Sequence, residues 1–320
     1  MGAATNVAGT AIDRTCRLCG AAAPVFRGWK TGKFVPRDFQ FFTCRLCDFT
    51  QVEPVTDFTI YNDAYYAGRG PDPLVNYEEE YQNYAGTPRR FEFSDLRRIA
   101  VSHLTQASRQ TTVRWLDYGC GAGGLLKFLR DEGPLEISGN RTRFEVTGYD
   151  VGSYADLLRA RDGFRILDEA ELQAEQPDSY DIISCIEVVE HLTQPRAAVE
   201  LLARLLRPGG LLLLTTGNMA APLARWQGIG FAYCMPEIHI SLFTPRALSR
   251  LYQSVGLIPR QVRFDGALRF RLLKNFPRLP LGRLLAPLAS VAAARRVLDY
   301  VFGVSAMPCA VKPSPAAAAP

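Results

Sequence analysis

Acidic residues and glycines between positions 115 and 150 form a pattern that can hold a nucleotide carrying a positively charged amino acid. Residues 115–124 read WLDYGCGAGG, which predicts a buried strand, a glycine-rich turn and then a helix N-terminus. Asp117 precedes the turn and suits a cationic amino group, whereas Asp150 ends the next predicted strand and can accept two ribose hydroxyls. The turn lacks side chains that would keep a nucleotide away from the backbone at three positions, Gly119, Gly121 and Gly123.

The glycine turn by itself does not identify its ligand. Gly119, Gly121 and Gly124 also match G-x-G-x-x-G, the fingerprint of dinucleotide binding, and a lone match to that pattern is weak. A tight strand-to-helix connection without any ligand gives the same pattern. Two later segments narrow the choice, YDIISCIEVVEHL at 180–192 and LRPGGLLLLT at 206–215.

Taken in order, these motifs resemble those of the class I S-adenosylmethionine-dependent methyltransferases. Along residues 110–260 they are D-x-G-x-G-x-G, Tyr-Asp at 149–150, YDIIxC, ExxEHL and LxPGG. The resemblance implies an α/β fold with a Rossmann-like, doubly wound sheet of seven strands, the last of them reversed. It also implies S-adenosylmethionine as the methyl donor, bound across the glycine turn.

The resemblance suggests further contacts with the methyl donor. Asp168 and Glu169 follow the third predicted strand, where the family places an acidic side chain near the adenine amino group. Glu187 ends the fourth strand, at the rim of the cofactor. Tyr66 and Tyr77 are candidates for a lid over the methionine end, and the alternative is that they pack a cap onto the core with their hydroxyls in water.

Two histidines are candidates for the chemical step. Methyl transfer requires alignment of the reacting atoms, and an oxygen or acidic carbon acceptor must also lose a proton. We expect His239, on the loop after the fifth strand, to act as a base or as a substrate ligand. His191 follows the fourth strand and serves either as a base or as a hydrogen-bonded structural residue. His103 is expected at the surface.

Four of the eight cysteines predict a structural zinc site. They form two C-x-x-C turns, Cys16 with Cys19 and Cys44 with Cys47, which together supply the four thiolates of a tetrahedral site. Two disulfides would need an oxidising compartment, and a redox C-x-x-C normally occurs once. Because four protein ligands leave no open position, we expect this ribbon to clamp the N-terminal segment over the substrate cleft rather than to catalyse.

The methyl acceptor is predicted to be a small molecule. Nucleobase amino methyltransferases carry an Asn-Pro-Pro-Tyr type turn after the fourth strand, where this chain has EVVE at 187–190. We expect transfer to an oxygen or carbon of a sugar, lipid, quinone or other secondary metabolite. The zinc segment gives a partial resemblance to C-methyltransferases of nucleotide-linked deoxysugars. The alternative is an RNA methyltransferase that grips RNA through the ribbon, but the ribbon's basic surplus is small.

Alternating strands and helices would position these residues. Strands are predicted at 113–118, 144–150, 164–167, 180–186, 211–216, 258–264 and 307–311, and helices at 124–132, 154–161, 195–206 and 245–255. Pro208-Gly209-Gly210 is predicted as a turn before the fifth strand. The predicted domains are a zinc ribbon at 1–58, a helical cap at 59–105, the methyltransferase domain at 106–312 with a helical insert at 272–304, and a disordered tail at 313–320.

Composition favours a cytoplasmic enzyme. The chain has 320 residues, 48% of them hydrophobic, and a net charge of +5, which does not argue for a nucleic-acid partner. We expect no signal peptide and no transmembrane segment. The amphipathic insert 272–304 is a candidate surface for homo-oligomer formation or for contact with a membrane surface.

Overall fold

The computed structural model describes residues 15–55, 60–72, 76–107, 111–137, 139–262, 291 and 308–314. The predicted helical insert lies outside these ranges except for residue 291, and so do residues 315–320 of the predicted tail. Within the described ranges, no helix combines the length and apolar character needed to cross a bilayer.

The elements follow the predicted alternation. The strands are β1 (Val25–Thr31), β2 (Asp38–Thr43), β3 (Thr50–Glu53), β4 (Thr112–Tyr118), β5 (Leu135–Ile137), β6 (Asn140–Tyr149), β7 (Arg165–Leu167), β8 (Tyr180–Ile186), β9 (Leu206–Thr215), β10 (Ser241–Leu242), β11 (Ile258–Gln261) and β12 (Pro308–Val311). The helices are α1 (Tyr77–Asn83), α2 (Arg89–Ala107), α3 (Gly124–Asp131), α4 (Tyr154–Ala160), α5 (Glu169–Ala174), α6 (Pro195–Leu205), α7 (Pro222–Gln227) and α8 (Pro245–Ser254).

The central sheet confirms the predicted Rossmann-like fold. Its strands lie in the order β11-β12-β9-β8-β4-β6-β5, and β7 pairs with the other end of β6. Strands β4, β6, β7, β8 and β9 are parallel, whereas β12 runs antiparallel to β9 as predicted. Seven of the eight strands are those predicted, and β5 is a short addition. The strand that follows along the parallel sheet, β6, lies on one side of β4, whereas β8 lies on the other side. The carboxyl ends of β4 and β8 therefore flank a binding crevice.

The predicted turn at Pro208-Gly209-Gly210 is wrong, because these residues belong to β9. The amide of Gly209 donates to the carbonyl of Lys312 at 2.8 Å, and the amide of Lys312 donates to Gly210 at 3.1 Å. Strand β9 therefore begins at Leu206 and carries a register shift opposite Tyr180. The glycines serve as a bulge, with Gly209 at φ +76°.

A second sheet unites the cysteine-rich segment with a much later part of the chain. Its order is β1-β2-β3-β10, so its fourth strand comes from residues 241–242, far beyond the predicted ribbon. Leu242 pairs with Thr50 and Ser241 with Gln51. The ribbon is thus joined to the methyltransferase domain through backbone hydrogen bonds as well as side-chain packing.

Apolar layers on both sides of the central sheet hold the strands in place. Trp115 is fully buried in β4, and its indole nitrogen donates to the Ser184 hydroxyl of β8 at 2.9 Å. Helix α3 packs Leu126 into a cluster with Leu158 and Ile166. This packing places the start of α3 directly behind the glycine turn.

Replacing Leu126 by alanine should lower the free energy of unfolding by about 2–5 kcal/mol, because it leaves a cavity beneath the turn. Leu126 is 0% exposed, whereas Leu157 on α4 is 44% exposed. The matched variant Leu157→Ala should change stability by no more than about 0.5 kcal/mol. Urea denaturation of both variants measures the difference, and equal effects would contradict this packing.

Candidate functional site

The turn after β4 is built for close backbone approach. Gly119 adopts φ +78°, and its amide donates to the carbonyl of Tyr149 at 2.7 Å. A Cβ at Gly119 would lie 2.3 Å from Cγ2 of Val188, and one at Gly121 would lie 2.4 Å from Cε1 of Tyr77. Both positions therefore require glycine for conformation and for space.

Asp117 lies buried below this turn. Its Oδ1 accepts a hydrogen bond of 2.6 Å from the Ser184 hydroxyl, and only 4% of the residue is exposed. Burial raises the pKa of Asp117 to about 7, against the lowering effect of the Ser184 hydrogen bond. A positively charged neighbour would therefore stabilise the ionised form of this carboxyl group.

Asp150 follows β6 at the rim of the crevice and closes the turn. Its Oδ2 accepts from the amide of Gly121 at 2.8 Å, and its Oδ1 accepts from the amide of Gly152 at 2.7 Å. Burial raises its pKa, while the bonds from these amides lower it. Each carboxylate oxygen can accept a second hydrogen bond, so the position remains able to hold a diol.

Tyrosines from the cap lie over the turn. The rings of Tyr66 and Tyr77 are 5.2 Å apart, and Tyr154 of α4 packs against both. A Cβ at Gly152 would lie 2.4 Å from the Tyr66 hydroxyl, which places that hydroxyl beside Asp150. The structure thus brings both predicted lid residues to the crevice, and movement of Tyr77 would open the turn to a ligand.

The other predicted cofactor residues have local roles in this structure. Asp168 caps α5, since its Oδ1 accepts from the amide of Glu171 at 2.8 Å. Glu169 accepts a short hydrogen bond from the hydroxyl of Tyr149. Glu187 has φ +55° and accepts from the Thr215 hydroxyl at 3.0 Å. Their proposed contacts with a cofactor stay predictions.

Gly123 ends the turn in the left-handed region and precedes α3. Its φ is +71°, and a Cβ there would lie 2.5 Å from Cδ2 of Leu158. Gly123 therefore lets helix α3 approach α4, and its contact with a cofactor also stays a prediction.

The two candidate histidines lie together beside the crevice. Their ring centroids are 4.9 Å apart, although they come from the turn Val189–His191 and from the loop before β10. Val188, which packs on Gly119, immediately precedes this turn. Burial lowers the pKa of His191. The histidines that are predicted to act on the methyl acceptor therefore lie next to the turn that is predicted to bind the cofactor.

Three neighbours of these histidines, Glu190, Tyr233 and Tyr61, were not predicted from the sequence as their partners. Glu190 is fully buried and accepts from the hydroxyl of Tyr233 at 2.6 Å. Burial raises the pKa of Glu190 to about 8, and the neighbouring Glu187 carboxylate adds to this shift. The hydroxyl of Tyr61 lies 2.8 Å from Nδ1 of His191. Glu190 stood in the ExxEHL motif, but nothing in the sequence showed that His239 would join it.

The third histidine was expected at the surface, but it is partly buried and hydrogen-bonded. His103 is half-buried in α2, and its Nε2 lies 2.8 Å from the carbonyl oxygen of Gly209. His103 therefore supports the bulge of β9 and does not belong to the group formed by His191 and His239.

The four cysteines meet as predicted. Their sulfur atoms all lie within 4.8 Å of one another, and two of the pairs, Cys16 with Cys47 and Cys19 with Cys44, are each 3.6 Å apart. None forms a disulfide. Zinc–sulfur bonds of about 2.3 Å in a tetrahedron give sulfur separations of about 3.8 Å, so this donor set fits zinc.

The cysteine-rich segment holds the loop that carries His239. The guanidinium of Arg17 donates to the carbonyl of Ile240 at 2.6 Å, and the ammonium of Lys30 donates to the carbonyl of Cys234 at 2.6 Å. In return, Glu237 accepts from the amides of Phe34 and Val35. The position of His239 therefore depends on this segment.

Comparison with known proteins identifies the family of this chain. The methyltransferase-domain family matches residues 87–262, which is more than half of the chain. A ubiquinone biosynthesis O-methyltransferase of Aeromonas salmonicida is 29% identical over 163 residues, covering 47% of this chain and 64% of that protein. A protein of the same name from Nitrosospira multiformis is 27% identical over 188 residues, covering 53% and 74%.

Solved structures give weaker similarity. A putative sarcosine dimethylglycine methyltransferase from Galdieria sulphuraria has a TM-score of 0.42 at 16% identity, over 70% of this chain and 85% of that one. A complex of the Haloferax volcanii Trm112 methyltransferase activator with a putative methyltransferase has a TM-score of 0.45 at 14% identity, over 74% and 98%. On the family match, the motif order and the sheet topology, the chain belongs to the class I S-adenosylmethionine-dependent methyltransferases.

Proposed function

We propose that this protein transfers the methyl group of S-adenosylmethionine to a hydroxyl oxygen of a small aromatic molecule of the quinol type. The observation that carries the proposal is the group of Glu190, His191 and His239 beside the glycine turn, in which Glu190 and His239 are buried and His191 is partly buried. Such groups promote loss of a proton from a hydroxyl acceptor. The name of the two relatives, ubiquinone biosynthesis O-methyltransferase, supports an oxygen acceptor on a quinone precursor.

The crevice has a donor set that suits S-adenosylmethionine. When bound, this cofactor supplies an activated methyl group on a positively charged sulfur. Asp117 would pair with its amino group, directly or through water, and Asp150 would accept from the ribose hydroxyls. Tyr66 and Tyr77 would cover the methionine end, exclude water and contribute aromatic faces to the cation. Asp168, Glu169 and Glu187 remain proposed contacts of the adenine and the rim.

On the acceptor side, His239 and His191 would act on the hydroxyl group. Nδ1 of His239 lies 2.7 Å from the carbonyl oxygen of Tyr233, which can only accept, so the proton is on Nδ1. The lone pair of His239 is therefore on Nε2. The histidines would bind the acceptor and promote its ionisation, while the tyrosine-lined cap would shield it from water.

The cysteine site is proposed to hold one structural zinc ion. Its support is the fit of four sulfur atoms and the contacts that run from this segment to the His239 loop. An RNA substrate finds no support in the names of the relatives. The cytoplasmic location, and the roles of insert 272–304 in self-association or membrane contact, stay predictions.

The function is tested by supplying labelled S-adenosylmethionine with a panel of catechol and quinol acceptors, their pre-methylated analogues, and RNA. We expect label on a free hydroxyl only. His239→Ala should lower kcat by about 100-fold or more, because the acceptor loses its ionising group, while cofactor affinity stays near normal. His103→Ala is the matched control and should keep full activity. Label in RNA or on carbon would contradict the proposal.

Binding of S-adenosylhomocysteine should depend on pH through Asp117. Since the pKa of this carboxyl is raised to about 7, it is largely protonated at lower pH and cannot pair with the ligand's ammonium group. Affinity should therefore be highest above pH 7 and fall by up to about tenfold per pH unit below it.

Calorimetry between pH 5.5 and 7.5 measures how the affinity changes with pH. The change should correspond to the titration of about one group. Asp117→Asn should bind more weakly at the upper end and lose most of the pH dependence. The neighbours that also act on Asp117 are Ser184, Asp150, Arg89 and Glu92. An unchanged pH dependence in the variant would contradict the assignment to Asp117 and point to the other carboxyl group whose pKa is raised, Asp150.

The double variant Cys44→Ser/Cys47→Ser should lose one zinc ion per chain, as measured by elemental analysis. Both cysteines are buried in the core cluster that contains Phe243, so the free energy of unfolding should fall by at least about 2 kcal/mol. As a control, Cys309→Ser replaces a buried cysteine outside this group, and the variant should retain the zinc ion. Full zinc content in the double variant would contradict the four-cysteine site.

A further inference from the structure

A cavity lies between the second sheet, β1-β2-β3-β10, and the segment that contains helix α7. Its volume is about 840 Å³, which is in the range of pockets that bind small molecules. One wall is formed by the four strands, and the other by α7, the turn Gly228–Gly230 and the start of α8. Of the described residues that line this cavity, none belongs to the glycine turn, the histidine group or the four cysteines.

Contacts along β1 hold the two walls of this cavity at a fixed spacing. A Cβ at Gly28 would lie 2.7 Å from Cδ1 of Ile229, so β1 packs directly against the turn that follows α7. Further along the same strand, the ammonium of Lys30 donates to the carbonyl of Cys234 at 2.6 Å. The walls therefore meet on one side of the cavity, and the cavity itself is part of the folded structure.

Three arginines from three different elements line the cavity, Arg27 of β1, Arg225 of α7 and Arg246 of α8. The one carboxylate among the described lining residues is Asp48, which pairs with Arg246 at 3.0 Å. Arg27 and Arg225 have no ion-pair partner within the part of the chain that the structure describes. Three arginines against one aspartate give the lining a net charge of +2. This charge favours an anionic ligand.

Between the arginines, the walls of the cavity are apolar and carry hydroxyl groups. Met219 and Ile229 are partly buried on one side, and Leu242 is buried on the other. The hydroxyl oxygens of Thr43 and Thr50 lie 2.8 Å apart. Only one of their two protons is needed for this hydrogen bond, so the other can be donated to a ligand. The cavity thus combines apolar surface with donors for an anion.

We propose that this cavity binds a small phosphate monoester with a flat apolar body. A phosphate monoester carries a charge of about −1.5 to −2 at pH 7, which matches the charge of the lining. Guanidinium groups bind phosphate oxygens through paired N–H donors, while the apolar walls would cover the body of the ligand. An uncharged ligand would leave the arginines without a partner, and inorganic phosphate would leave the apolar walls in water. The site does not depend on the identity of the methyl acceptor.

Calorimetry of the full chain with phenyl phosphate tests the site without relying on activity. Two comparison ligands separate the contributions, because inorganic phosphate lacks the apolar body and benzyl alcohol lacks the charge. We expect one phenyl phosphate per chain, bound at least about tenfold more tightly than either comparison ligand. Its affinity should stay the same at saturating S-adenosylhomocysteine, because the cavity lies outside the crevice.

Variants assign that binding to the cavity. Arg27→Ala and Arg225→Ala should each weaken phenyl phosphate binding by about tenfold, because each removes charge-assisted hydrogen bonds to the phosphate. As a matched control, Arg196→Ala removes an arginine of α6 that lies outside the cavity, and this variant should bind as the wild type does. All three arginines are exposed, and retained binding of S-adenosylhomocysteine shows that each variant is folded.

Any of four results would overturn the proposal. The first is the absence of binding up to millimolar phenyl phosphate, and the second is an affinity that is equal in the wild type and in both cavity variants. The third is an equally tight binding of inorganic phosphate, which would indicate an unspecific attraction to surface arginines. The fourth is displacement of phenyl phosphate by S-adenosylhomocysteine, which would place the ligand in the crevice.

Discussion

The pairing of β3 with β10 is the contact on which the candidate site depends. Strand β10 begins at Ser241, two residues after His239, so its hydrogen bonds to Gln51 and Thr50 fix where that histidine lies. Arg17 adds a bond to the carbonyl of Ile240 between them. In the proposed function the four cysteines stabilise the partner strand and take no part in the chemistry, but they position the acceptor side of the crevice.

Three carboxyl groups are concentrated around the crevice. Asp117, Asp150 and Glu190 are largely removed from water, and burial raises the pKa of all three. Such groups are costly when ionised alone and become favourable beside positive charge. A sulfonium nucleotide with an ammonium group supplies that charge on one side. The glycine turn packs directly on Val188 and so keeps Glu190 close to the aspartates that would face this positive charge.

The sequence allowed much of the central sheet to be predicted because β4, β6, β7 and β8 are local segments followed directly by a glycine or an acid. Boundaries of β4 and β8 agree within one residue with those predicted. Strand β10 could not be found, since two residues carry no pattern and its partner lies almost 200 positions away (Ser241 pairs with Gln51). For the same reason Glu190 and His239 were not linked. Asp168 shows a local alternative, because an acid after a strand also caps a helix.

The end of the central sheet has a consequence for how this fold can vary. Gln261 of β11 is paired with Pro308 of β12, so the chain leaves and re-enters the sheet at neighbouring points about 5 Å apart. Antiparallel neighbours can be joined by a turn of a few residues. The length of sequence between them can therefore vary without shifting strand register, and this edge of the sheet lies four strands from β4.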